Sequence, residues 1–185
     1  MHRSRILGWI RLAMVYAFVA ALVSVSRPTP ALIAAGAVFA LSGQALRLWA
    51  AGHLTKSVRL ITSGPYAYTQ NPLYLGRLMI LTGLAIAART QGYLNLVALA
   101  FGYAVFFVYY IPRKLRVEGG RLSRLHGPAF EEYRASVPVL FPSGHRYPGG
   151  HAAWSFRLMV RNQEPLVAGG VILVLALLIC KGTRP

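Results

Sequence analysis

Apolar residues in this chain are gathered into long blocks instead of alternating at a helical or strand period. Four blocks, roughly Ile6–Ser26, Pro30–Ala50, Leu73–Ala88 and Tyr93–Pro112, are long enough or nearly so to cross a hydrocarbon core, which takes about 20 apolar residues. A fifth, Pro165–Cys180, is shorter and extends through its flanks. Two polar stretches separate them. The first, Gly52–Gly76, reads GHLTKSVRLITSGPYAYTQNPLYLG and is punctuated by the turn pairs Gly64-Pro65 and Asn71-Pro72. The second follows the fourth block and reads RKLRVEGGRLSRLHGPAFEEYRASVPVLFP. In it Leu115, Leu122, Leu125, Phe130, Tyr133 and Val137 recur near helical spacing among arginines. That pattern predicts a basic amphipathic helix at headgroup level, broken at Gly127-Pro128. The expected fold is all-α: a polytopic membrane helical bundle of about five transmembrane helices plus a cytosolic amphipathic helical segment, forming one domain over residues 1–185.

Composition supports a membrane protein and charge gives it an orientation. The chain is 56% hydrophobic and only 13% charged, with mean hydropathy +0.50, outside the profile of a soluble domain. Outside the blocks, thirteen Lys and Arg lie in the N-terminus and the two polar stretches, against four in the remaining turns and the C-terminus. The positive-inside rule then puts the N-terminus and both polar stretches in the cytoplasm and the C-terminus on the opposite side. The net charge of +16 is thereby assigned to topology and anionic headgroups, and no nucleic-acid partner is expected. The first block is too long for a signal-peptide core and carries Arg11. The single cysteine, Cys180, excludes an internal disulfide and any cysteine-based metal site, and reads as a small apolar residue of the last span. His53, His126, His145 and His151 are too dispersed for metal ligation, so no metal is expected.

Candidate chemistry concentrates in the polar stretches. The chain has no aspartate and four glutamates, Glu118, Glu131, Glu132 and Glu164. Glu131 and Glu132 suit the first turn of a helix opening at Pro128, where the dipole favours acids. Glu118 reads either as a solvated carboxylate of a basic helix or as a site residue. Tyr66, Tyr68 and Tyr74 add flat side chains with hydroxyls. Irregular backbone at a membrane edge must be buried in protein or line a cavity, so Gly52–Gly76 reads as the wall of a site. Arg47 and Arg77 lie near span ends, where snorkelling competes with a substrate-facing role.

The motif GHLxK, then GPYAYTxNPLYLG, then a Glu followed by Leu, Gly and an aromatic-rich helix ending in Val-Pro, resembles the isoprenylcysteine carboxyl methyltransferase family, a relative of the phospholipid methyltransferases. The matching positions are Gly52, His53, Leu54, Lys56, Gly64, Pro65, Tyr66, Asn71, Pro72, Tyr74 and Gly76, with Glu118, Leu122, Gly127, Tyr133, Val137 and Pro138 in the second motif. Trp154 and Arg161–Glu164 are similar to the tail of longer bacterial members. The resemblance covers roughly half the chain. It implies an integral-membrane enzyme dependent on S-adenosyl-L-methionine, with cofactor segments at 52–76 and 113–142. Residues His53, Leu54, Gly64, Pro65, Tyr66, Asn71, Pro72, Tyr74, Gly76 and Glu118 would bind the cofactor. Glu118 and Arg113 would serve catalysis on a lipid or a prenylated small-molecule or protein acceptor. Carboxyl O-methylation is favoured over amine N-methylation, because arginines suit an anionic acceptor. Two positions depart from the family pattern: Gln70 stands where Arg is usual, and Gly119 where a second Glu is usual. The alternatives are a sterol-type membrane reductase using a nicotinamide cofactor and a non-catalytic binding or assembly protein on the same scaffold.

Overall fold

The computed structural model describes residues 17, 19–55 and 60–183. Most of the expected first span, including Arg11, lies outside these residues, as does Lys56 of the connector motif. Among the described residues the fold is all-helical, with one isolated backbone bridge between Ser26 and Thr90.

A helical stretch ending at residue 25 leads to α1, Pro30–Ala51. Its 22 residues span about 33 Å at 1.5 Å per residue. The connector folds into one 3₁₀ turn, Gly64–Ala67, and then α2, Pro72–Ala87. Each has a proline in its first two positions, Pro65 and Pro72, after an extended or non-helical cap residue, which suits the fixed φ of proline and its missing N–H. With 16 residues, α2 reaches only about 24 Å, short of a hydrocarbon core of about 30 Å. Three helices are long and apolar enough to cross a membrane: α1, the continuous helical stretch Gln91–His126, and the last helix, α7, Glu164–Gly182. Of the expected five spans, the described residues thus show three such helices and the shorter α2, and most of the first expected span lies outside them.

Within Gln91–His126, α3, Leu94–Val105, passes through a π-helical turn, Phe106–Tyr110, into α4, Ile111–His126. Pro112 cannot donate to the carbonyl four residues before it, and its ring would press against that group. The wider turn, in which the Ile111 N–H bonds to the Phe106 carbonyl, lets the helix continue past the proline. The amphipathic segment is thus a continuation of the fourth span. It ends, as the Gly127-Pro128 pair predicts, at Gly127 with φ 53°, and α5, Pro128–Ser136, begins there. A short α6, Phe156–Arg161, precedes α7.

The α1–α2 pair is a small-residue seam. A Cβ at Gly43 would lie 2.6 Å from the Gly76 carbonyl oxygen, and Gly36 and Gly83 face each other in the same way about two turns further on. Such seams let helix backbones touch where lipid offers no hydrophobic drive for association. They fix the end of α1 against the start of α2, where the polar stretches meet. At the opposite end, the Arg27 N–H donates to the Arg89 carbonyl and Lys181 caps the carbonyls of Val23 and Ser24. Among the described residues, the two polar stretches therefore lie at one end of the bundle, and the Arg27 and Arg89 turns and Lys181 at the other.

Candidate active site

The two polar stretches are joined by hydrogen bonds. Residues 137–147 run along residues 66–71. The Gln70 N–H donates to the Pro138 carbonyl at 2.9 Å, Ser143 to Tyr68 at 3.2 Å and Tyr147 to Ala67 at 2.9 Å. Side chains add to this: Thr69 Oγ1 donates to the Leu140 carbonyl at 2.8 Å, Asn71 Nδ2 to Val139 at 2.7 Å, and the Tyr133 hydroxyl to Tyr66 at 2.8 Å. Buried backbone is thus satisfied although neither stretch is regular there.

Between them lies a cavity of about 510 Å³, within the roughly 300–1,000 Å³ of small-molecule sites. Of the residues singled out from sequence, Leu54, Tyr66, Asn71, Pro72, Tyr74 and Glu118 line it. His53, Gly64, Pro65, Gly76 and Arg113 do not. His53 is buried behind the wall, with Nδ1 3.3 Å from Ser63 Oγ. Its ring occupies the space that a Cβ at Gly64 would need, and Gly64 has φ 60°. Burial holds the His53 pKa below its ordinary value, opposed by a hydrogen bond to the Ala152 backbone. A neutral imidazole there braces the 3₁₀ turn that carries Tyr66. Gly76 belongs to the helix seam. Arg113 donates to the Tyr109 hydroxyl at 2.8 Å and lies over that ring.

One corner of the cavity is built to attract positive charge. Tyr74 presents a ring face, held by Phe106 and Tyr110 at centroid distances of 6.1 and 5.5 Å. Asn71 Oδ1 faces the same point, because the other half of the amide is committed to Val139. The Glu118 carboxylate is near it, and the Lys114 ammonium lies among the three. The remaining wall is apolar and aromatic, with Leu54, Leu60, Ile61, Leu122, Phe130 and Tyr133. Burial, with Tyr133 and Glu164 nearby, raises the Tyr66 pKa well above the phenol range, so its hydroxyl stays protonated.

Four cationic side chains also reach the cavity: Arg47, Arg77, Lys114 and Arg121. Arg47 is committed. Its guanidinium grips Glu164 with two buried bonds of 3.1 and 2.6 Å and donates to the Leu73 carbonyl at 3.0 Å. Arg77 is exposed and lines the cavity with Cζ 5.6 Å from the Tyr74 ring centroid. Sequence reasoning overlooked Lys114, although its spacing four residues before Glu118 on a helix was the available signal. Gly119 also lines the cavity, and a Cβ there would meet nothing within 4 Å. The second carboxylate of the family pattern is therefore replaced by open space.

The tail motif is structural. Trp154 Nε1 donates to the Leu48 carbonyl at 3.1 Å and its ring covers Gly52. Asn162 Nδ2 donates to the carbonyls of Ala51 and Leu54 at 3.0 and 2.9 Å. Together they tie the tail to the end of α1 and the loop after it. They add a second donor to the Leu48 and Ala51 carbonyls, which also accept from the Gly52 and Leu54 N–H groups, and Glu164 anchors Arg47.

A family model described as phospholipid methyltransferase matches residues 30–127, more than half of the chain and both walls of the charged corner. The chain belongs to that family. Its members are membrane methyltransferases, as the connector motif and the apolar helices imply. The nickel-cobalt-cadmium resistance protein NccN of Alcaligenes xylosoxydans xylosoxydans is 34% identical over 98 residues, 52% of this chain and 43% of that protein. The cobalt-zinc-cadmium resistance protein CzcN of Cupriavidus metallidurans is 32% identical over 111 residues, 59% of this chain and 48% of that protein. The chain thus aligns with a little under half the length of these relatives. No solved structure matches it.

Proposed function

We propose that the cavity binds S-adenosylmethionine and that the chain transfers its methyl group to a membrane-embedded, lipid-like or prenylated acceptor, with a carboxylate as the favoured nucleophile. The observation that carries this reading is the charged corner beside an apolar wall. An aromatic face, an amide oxygen and a carboxylate suit a sulfonium and an ammonium group, and Leu122, Phe130 and Tyr133 suit an adenine. Tyr74, Asn71 and Glu118 would hold the cationic part of the cofactor. The cofactor supplies an activated methyl group and a good leaving group, and the chain's own task is alignment and exclusion of water.

Two features favour a carboxylate acceptor. Arg77 has its guanidinium at the cavity with no carboxylate bound to it among the described residues, whereas Arg47 is already held by Glu164. An amine acceptor would need a base, and the carboxylate that lines the cavity, Glu118, is 3.2 Å from Lys114. The positive-inside bias supports an active site open to the cytoplasm. The names of the two relatives support placing this methylation in a cell's response to divalent metals.

Calorimetry on the detergent-solubilised protein tests the reading against a nicotinamide-dependent reductase and a non-catalytic scaffold. S-adenosylmethionine and S-adenosylhomocysteine are expected to bind and NADPH is not. Tyr74→Ala and Glu118→Ala are expected to weaken adenosyl-ligand binding at least tenfold more than Glu132→Ala, whose position is away from the cavity. Heat with NADPH alone, or equal affinities in all three variants, would contradict the assignment.

A further inference from the structure

The charged corner already contains a cation from the chain itself. Lys114 Nζ lies 2.6 Å from Asn71 Oδ1, 3.2 Å from Glu118 Oε2 and 3.9 Å from the centroid of Tyr74. Lys114 is therefore at the focus of all three groups that attract positive charge. Two of the three are positioned without it: Asn71 by its bond to Val139, and Tyr74 by Phe106 and by a hydroxyl contact of 3.1 Å to Tyr110. The corner would persist if the lysine left, and a four-carbon stem gives the ammonium room to swing away. A second cation, Arg77, borders the same ring, so the corner has no spare negative charge for another one while Lys114 remains.

We propose that Lys114 sets the affinity for the methyl donor: its ammonium occupies the donor's cation subsite in the free protein and has to leave before a cationic ligand can bind there. This rests on the methyltransferase reading given above and adds a specificity-determining residue to it. The competition is between like charges for one set of partners. It therefore penalises ligands by their charge, and a ligand with the adenosine part alone escapes it. If the lysine holds the corner about nine-tenths of the time, apparent affinity for a cationic ligand is reduced about tenfold relative to a chain without it.

The test is calorimetry of wild type, Lys114→Gln and Lys114→Arg with S-adenosylmethionine and with adenosine, alongside thermal unfolding of each variant. Lys114→Gln keeps a donor for Asn71 and removes the charge. It is expected to bind S-adenosylmethionine about tenfold more tightly than wild type and adenosine equally well. Lys114→Arg keeps a cation and is expected to show no gain. Binding by wild type with equal or weaker binding by Lys114→Gln would overturn the role of Lys114 and leave the methyltransferase reading intact. A gain of the same size for adenosine would also overturn it, since relief of crowding is not charge-specific. Absence of binding by both wild type and Lys114→Gln, with both folded, would overturn the two readings together.

Discussion

Gln70 donates from its side-chain amide to the carbonyls of Val137 and Arg134, at 2.6 and 3.3 Å. These carbonyls close the end of α5, where a helix leaves acceptors open. The residue that departs from the family pattern therefore fastens one polar stretch to the other. An arginine in its place would offer more donors to the same acceptors, and its charge suits a helix C-terminus. Gln70→Arg is thus expected to leave stability unchanged or raise it by up to about 1 kcal/mol, while Gln70→Ala costs about 1–2 kcal/mol. Thermal unfolding in detergent measures both. A destabilised Gln70→Arg would mean that the site around residue 70 is closed to the longer side chain. At this scale the motif residues Leu54, Tyr66, Asn71, Pro72, Tyr74 and Glu118 were legible as cavity lining. The partners of Gln70 and the position of Lys114 were not, because both depend on contacts between segments more than forty residues apart.

At the scale of elements, hydropathy and proline placement marked α1, the start of α2, the break at Gly127 and the last helix closely. The continuation of α3 into α4 was hidden. Pro112 reads as a helix end, and only the π-helical turn before it carries the helix onward. The tail was hidden for a different reason: Trp154, Asn162 and Glu164 act on the distant end of α1, and no local pattern announces a long-range cap. The seam between α1 and α2 leads to a prediction. Gly43 is in contact with Gly76, one turn before Arg47, so a side chain at 43 pushes α2 outward and moves Tyr74 with it. Gly43→Leu is expected to lower stability by about 1–3 kcal/mol or more and to weaken adenosyl-ligand binding, as read by unfolding and by calorimetry. Unchanged binding would show that the corner does not depend on the seam.

For the whole molecule, the asymmetry of Lys and Arg along the sequence foreshadows the sorting of loops to two ends of the bundle. The short connections at Arg27 and Arg89 pair at one end, and the long polar stretches pair with each other at the other. The stretches meet over one cavity, and the family match, residues 30–127, covers its charged corner and ends before Phe130 and Tyr133. Together with membership of a phospholipid methyltransferase family, this arrangement supports the proposed transfer from a water-soluble methyl donor to a membrane-held acceptor. The decisive measurement is incubation of the purified protein with methyl-labelled S-adenosylmethionine and a membrane lipid extract, followed by separation of the lipid phase. The account predicts label in the lipid phase, released as methanol by mild alkali as a carboxyl methyl ester requires. Label that resists alkali would contradict the carboxylate acceptor, and no label in either the lipid or a prenylated-peptide acceptor would contradict methyl transfer itself.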